Sequence, residues 1–371
     1  MTTVGVVGTG VIGACVAFGL ARRGVRVHCV DRAEPGGLTT SVSFARLSAF
    51  QQPTYTRFEL SHTGILEHAR FAAQFDHAPW WHHTGSVAWS DDDDGRPSFD
   101  ADVDRLASWG YRVVHTDAAE VNRDWEPGIA FADPESPAVL FPDEGWVDGP
   151  RLVGSLLDKA SGFLTFWPSA VEDVEVRGDR VAALRLATGD RLEVDAVVNA
   201  AGPAASTVAA MVGAPMVGGI STRSSLVLDL ATDGDPLRRI LRGAEVHARP
   251  AGPSRVRVRS EQVDARLPTD TPSEAGDELI KDLLDRAHRT IPALASSTVD
   301  KVEVGTATFP TDGLPSVGAL SAIDGYYEAF ANSGITLAPF IGRTLATQIA
   351  TGEVHPLWAP CSPDRLRATN R

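Results

Sequence analysis

The chain has 371 residues, 43% of them hydrophobic and 22% charged, which is enough apolar material for one large domain or two closely joined ones. Lys+Arg 34 against Asp+Glu 48 gives a formal charge of −14 at pH 7, which opposes nucleic acid and anionic membrane surfaces and directs attention to small-molecule partners. The longest apolar runs are broken by Gly, Arg or Asp well short of the roughly 20 residues that a membrane-spanning helix needs, so no span is expected.

Residues 3–31 have no basic stretch ahead of their apolar run, and they read as strand, turn and helix rather than as a secretory signal. Thr3–Val7 is the first strand; Gly8-Thr9-Gly10-Val11-Ile12-Gly13 follows; residues 14–23 carry apolar side chains at helical spacing; and residues 25–30 form a second strand ending at Asp31. This β-α-β order gives the glycines their meaning. The first permits a tight turn, the second lets the backbone approach a pyrophosphate, and the third lets helix and strand pack closely. The helix start presents unpaired N–H groups to phosphates, while Asp31 can accept from ribose hydroxyls and disfavours a 2′-phosphate. The unit alone suits FAD and NAD equally. Cys15, Cys29 and Cys361 have neither metal nor redox spacing, and their odd number argues against a disulfide framework, so a reducing, cytoplasmic setting is expected.

A helix over residues 58–75 leads to Trp80-Trp81-His82-His83, a strand over 85–89 and the acidic run Asp91 to Asp94, read as a surface loop. Adjacent His82 and His83 point to opposite sides of a strand, and the acidic run lacks the spaced ligands of a calcium loop, so no metal site is expected. After a helix over 151–160 come strands at 171–176, 180–186 and 191–194, joined by tight Gly-Asp turns. Residues 196–200 then read as a buried strand returning to the parallel sheet. Alternation over 226–230, 245–249 and 255–259 indicates an antiparallel sheet with a helix near 274–288 packed on it; Arg255, Arg257 and Arg259 read as its solvated face. A turn at Asp312-Gly313, a strand over 326–331 and a helix from Gly334 toward Thr351 follow. The helix start at Asn332-Ser333-Gly334-Ile335-Thr336 would favour negative charge on a flavin's N1/C2 edge, and with the small-residue turn Ala200-Ala201-Gly202 it tips the choice to FAD.

In this order the motifs resemble the D-amino-acid oxidase superfamily of FAD-dependent oxidoreductases, nearest its glycine oxidase, sarcosine oxidase and D-amino-acid dehydrogenase branch. The resemblance rests on residues 7–13 with Asp31, 40–45, 142–148, 197–202, 312–315 with Gly318, and 333–339. It implies an α/β fold: a Rossmann-like FAD-binding domain of the glutathione-reductase type (1–78, 141–215 and 305–371) and an α+β antiparallel-sheet substrate domain (79–140 and 216–304). It also implies cofactor contacts at Gly8, Gly10, Val11, Ile12, Gly13, Asp31 and Arg32 from the first unit. Further contacts would come from Thr40, Ser41, Ser43 and Arg46, from Val171, Ala201 and Gly202, and from Ser333, Gly334, Ile335 and Thr336. Residues 305–308 hold no cysteine, where the sarcosine oxidase branch attaches its flavin, so FAD is expected to be noncovalent.

The implied reaction is hydride transfer from a C–N bond of a small amine or amino-acid derivative to flavin N5, with oxygen or another acceptor reoxidising the flavin. The arginine with which many relatives clamp a substrate carboxylate falls at Ala307, and a frequent histidine or arginine falls at Asn332, which points to an atypical substrate. Arg46, with His247 and Arg249 on one strand face, is the expected replacement, and Arg223 is a further candidate. Oxidation of a hydroxy acid or alcohol, a catalytically silent flavoprotein and an NAD enzyme are the competing readings.

Overall fold

The computed structural model describes residues 2–90, 95–217, 220–268 and 274–367, and the acidic run Asp91 to Asp94 lies outside the described residues. Thr3–Val7, Val11–Ala21 and Arg26–Asp31 form the expected strand, helix and strand. Thr3–Val7 pairs in parallel with Arg26–Asp31 on one side and with Ala196–Asn199 on the other, and Ala196–Asn199 pairs in parallel with Tyr326–Phe330. Val4, Val6, Val27, Val197 and Val198 are fully buried, because a parallel sheet has helices or other structure on both faces. Leu164–Pro168 and the antiparallel Ser316–Ala319 close the two edges of this six-stranded sheet. Neither edge strand is evident in the sequence, since each is short and carries no alternation for periodicity to detect. Strands Val171–Arg177, Arg180–Leu186 and Arg191–Glu193 form the expected meander.

The second large element is an eight-stranded sheet. Its spatial order is Thr298–Pro310, Ile220–Ala231, Arg255–Arg259, His247–Pro250, Ile240–Arg242, Ser86–Trp89, Pro137–Phe141 and Val114–Asp117. Leu226, Leu228, Leu230, Ala248, Val256 and Val258 cover one face and pack with Leu283 and Ala287 of the helix Asp277–Thr290. The residues between them therefore point to the opposite face. That face is not the solvated surface expected for the arginines: Arg257 is buried and ion-paired to Asp229 at 2.7 Å, Arg259 is partly buried, and Arg255 alone of the three is exposed. Alternation identified the two faces correctly but carries no information on what lies against the polar one.

Thr298–Pro310 is one continuous strand paired along its length with Ile220–Ala231, so a domain boundary at 304/305 would cut it. We propose that the boundary falls after Pro310. Arg46–Leu47, Gly145–Val147 and Trp81–His82 form a separate small ribbon, next in the chain to the fully buried Trp80, whose ring contacts Phe71 and Phe75. Among the described residues, no helix is long and apolar enough to cross a membrane.

Candidate functional site

A cavity of about 1200 Å³ is lined by the glycine loop, the end of the second strand, the segment after it and the start of the C-terminal helix. It exceeds the roughly 300–1,000 Å³ usual for small-molecule sites, as a dinucleotide plus substrate requires. Gly8 has φ +98°, and a Cβ there would stand 2.4 Å from the Ala200 carbonyl oxygen. A Cβ on Gly13 would lie 2.0 Å from the Gly8 carbonyl oxygen, so helix and strand meet through bare backbone. Asp31 is fixed rather than free: Oδ2 accepts from Thr9 N at 2.7 Å and from Thr9 Oγ1 at 3.0 Å, and Oδ1 accepts from Ala33 N at 3.1 Å. Carboxylate oxygens have acceptor capacity beyond these bonds, and the residue lines the cavity.

Thr40 acts as the helix cap that Gly10 cannot provide, its Oγ1 accepting from Val11 N at 3.0 Å. At the other helix start, Ser333 makes no side-chain cap bond, which leaves the first N–H groups of Gly334–Thr351 without a side-chain acceptor at its cap. A Cβ on Gly334 would lie 3.3 Å from Ile12 Cδ1, so the two helix starts stand side by side. An open glycine face, a fixed carboxylate and two adjacent helix starts are what an FAD pyrophosphate, ribose and flavin edge would use.

The sequence matches the family model described as DAO, FAD dependent oxidoreductase, over residues 3–348. The chain belongs to the DAO family. Its fold is that of the glycine oxidase of Geobacillus kaustophilus, with a TM-score of 0.86 at 20% identity covering 98% of both chains. The iminodiacetate oxidase of Chelativorans sp. BNC1 has a TM-score of 0.82 at 20% identity, covering 97% of this chain and 98% of its own. A curated relative, the uncharacterized oxidoreductase YurR of Bacillus subtilis (strain 168), is 24% identical over 96% of this chain and 97% of its own. The cofactor of this DAO-family protein is FAD.

Of the expected cofactor contacts in this DAO-family chain, the first unit puts Gly8, Gly10, Val11, Ile12, Asp31 and Arg32 on the cavity. Thr40, Ser43, Val171, Ala201, Gly202, Gly334 and Ile335 join them, as does Asn332. Gly13, Ser41, Ser333, Thr336 and Arg46 do not line it. Thr336 is buried and donates from Oγ1 to the Arg46 carbonyl at 3.3 Å, and the Ser41 carbonyl accepts from Arg257. The three cysteines are buried and away from the cavity lining.

The substrate-side candidates are placed unequally. Arg249 is buried; its Nε donates to the Phe44 carbonyl at 2.6 Å and Nη1 to the Pro250 carbonyl at 2.7 Å, and it lies over the Trp146 ring at 4.3 Å, opposite in kind to a free anchor. His82 stacks on the same indole at 3.7 Å, and His83 on Trp81, so both histidines serve the aromatic core. His247 is buried, and its pKa is pushed well down by burial and then by Arg242, Arg259 and Arg46, which keeps it neutral. Burial likewise lowers the Arg46 pKa, with Glu144 opposing the shift. Ala307 lines the cavity, and its direct cross-strand partner is Arg223, which also lines it.

Two arginines act on His247 against expectation: Arg242 was not singled out in the sequence, and Arg259, expected on a solvated face, lines the cavity. Arg242 ends a three-residue strand too short to show alternation, and Arg259 belonged to a face whose covering could not be inferred.

His68 secures the start of the helix Gly334–Thr351, its Nε2 donating to the Ile335 carbonyl at 2.8 Å. Burial pushes its pKa down to about 4. The unfolded chain, with an ordinary value of about 6.5, therefore binds more protons as pH falls below that value, and stability drops until the folded group titrates. Chemical denaturation between about pH 7 and pH 4 is expected to show a loss approaching about 3 kcal/mol that His68→Gln lacks. An unchanged pH profile in the variant would contradict this role.

Proposed function

We propose that this protein oxidises a C–N bond of a small amine or amino-acid derivative to an imine. FAD, when bound, supplies the hydride acceptor at N5. One observation carries the reading: a single cavity joins the dinucleotide cradle to the large antiparallel sheet, so a substrate resting on Arg259, Arg223 or Ala307 shares space with the flavin edge expected at Gly334 and Ile335. Asn332, two residues before that helix, offers an amide to orient the substrate, and Arg223 and Arg259 bring positive charge to the same cavity. A neutral amine needs no strong base, so the chain's contribution is alignment and exclusion of water. Relatives of the same fold bear the names glycine oxidase and iminodiacetate oxidase, which supports a nitrogen-bearing substrate.

The test is anaerobic. Purified yellow protein is mixed with paired amino and hydroxy compounds, and loss of flavin absorbance with the amino member alone is the expected result. Reduction by only the hydroxy member would replace this reading with alcohol or hydroxy-acid oxidation. A flavin that stays oxidised with both would leave a flavoprotein without this catalysis.

A further inference from the structure

One stretch of the cavity wall is held under strain. Ala45 has φ +55°, a left-handed conformation that a residue with a Cβ rarely adopts and that persists only where surrounding contacts enforce it. Ser43 and Phe44, immediately before it, line the cavity. Within the turn, Ala45 N donates to Ser43 Oγ at 3.0 Å, and from the small ribbon Val147 N donates to the Ala45 carbonyl at 3.0 Å. The eight-stranded sheet adds further bonds. Arg249 Nε donates to the Phe44 carbonyl at 2.6 Å, and its direct cross-strand partner, Arg257, donates to the Ser41 and Ser43 carbonyls at 2.8 and 2.9 Å.

The two arginines are buried on different terms. Arg257 has Asp229 as its counter-ion. Arg249 is 4% exposed and, among the described residues, has no ion pair; its guanidinium lies over the Trp146 ring at 4.3 Å and the Phe44 ring at 5.6 Å. Burial, and then the neighbouring Arg257, push its pKa down to about 9. A buried cation without a carboxylate is commonly less favourable than an apolar side chain of similar volume, so packing alone gives no reason for an arginine here. The bond to the Phe44 carbonyl, one residue before the strained position, does.

We propose that Arg249 is a positioning residue: by holding the Phe44 carbonyl it keeps Ala45 in its left-handed turn and presets the Ser43–Phe44 wall for the flavin. The guanidinium itself contacts backbone and rings of this chain rather than substrate. The device belongs to the cofactor side of the cavity, so it stands or falls independently of which bond the protein oxidises.

A double-mutant cycle on flavin-loaded protein tests this, read by the visible circular dichroism of the bound flavin and by its release on dilution, followed as a rise in flavin fluorescence. Arg249→Met is expected to change the dichroism and to speed release by about tenfold or more, the effect of losing a charge-assisted bond. Ala45→Gly should release flavin within about threefold of wild type, because glycine adopts the positive φ without strain. Added to Ala45→Gly, Arg249→Met should then speed release by less than about threefold, since the turn no longer needs enforcing. Arg255→Gln, which removes an exposed arginine paired with Asp300 away from the cavity lining, should change neither readout. Equal acceleration by Arg249→Met with and without Ala45→Gly would reduce Arg249 to a packing residue, and no acceleration in either would remove its role altogether. If Arg249→Met does not yield folded holoprotein, Arg249→Lys, which keeps the charge but loses the planar fork, decides in the same cycle.

Discussion

Gly13→Ala is expected to give a protein that melts far below wild type and purifies without flavin colour. The added Cβ would stand 2.0 Å from the Gly8 carbonyl oxygen, 3.1 Å from its carbon and 3.3 Å from Ala200 Cβ. Two of these three atoms are backbone, so no rotamer change relieves the contact, and the helix Val11–Ala21 must move off the first strand. Overpacking in a tight core commonly costs about 1–3 kcal/mol, and a backbone obstacle puts this substitution at the upper end or beyond. The same displacement shifts the helix start away from the cavity. Gly10→Ala is the contrast: its Cβ meets only Thr40 Oγ1, at 3.2 Å, a side chain that can turn. That variant should fold with a modestly lowered melting temperature, since turning Thr40 gives up its bond to Val11 N, worth about 0.5–2 kcal/mol, and should retain less flavin, because the methyl group projects where backbone approaches the ligand. A Gly13→Ala protein with wild-type stability and full flavin absorbance would refute the close-packing account.

Asp229→Ala should cost about 3–5 kcal/mol and loosen the segment that borders the cavity. Arg257 is buried and donates from Nε and Nη2 to the two Asp229 oxygens, both at 2.7 Å, with Glu303 at 3.2 Å as a weaker, more exposed partner. Loss of Asp229 leaves that guanidinium poorly compensated in the interior. Arg257 Nη1 also holds the Ser41 and Ser43 carbonyl oxygens at 2.8 and 2.9 Å, so flavin retention should fall together with stability. The pH dependence has a definite sign. Burial alone would raise the Asp229 carboxyl, but the bonds from Arg257 outweigh it and hold the pKa below the ordinary 3.8. The stabilisation is therefore complete above the unfolded value and disappears as pH falls through the folded one. Urea denaturation should show a large gap between wild type and Asp229→Ala at about pH 7 that narrows toward about pH 3. A gap that stays constant with pH would assign the loss to packing rather than to the ion pair.

The nucleotide cradle was largely legible in the sequence. Residues 3–31 specify strand, turn, helix and strand through local periodicity and glycine spacing, and observed boundaries at Val11–Ala21 and Arg26–Asp31 lie within three residues of those expected. The Asn332 to Thr336 helix start was legible for the same reason. The edge strands Leu164–Pro168 and Ser316–Ala319 were not, because a short edge strand is stabilised by the neighbour it joins rather than by its own pattern.

The substrate side divides differently. His247 and Arg249 do share a strand face, as alternation requires, yet one is neutral and buried and the other is engaged by the Phe44 and Pro250 carbonyls. Spacing along a strand shows which residues point the same way, and it gives no account of what meets them.

The amino-acid sequence by itself determined the strand, glycine turn, helix and strand of residues 3–31, since local periodicity and glycine spacing specify them. Tertiary structure alone decided the surroundings of His247. Arg242, His247 and Arg259 become neighbours through the register of three strands, and Arg46 joins them from a separate ribbon. Register and burial are set by long-range packing, and they determine which of the chain's many arginines are engaged by carbonyls and carboxylates.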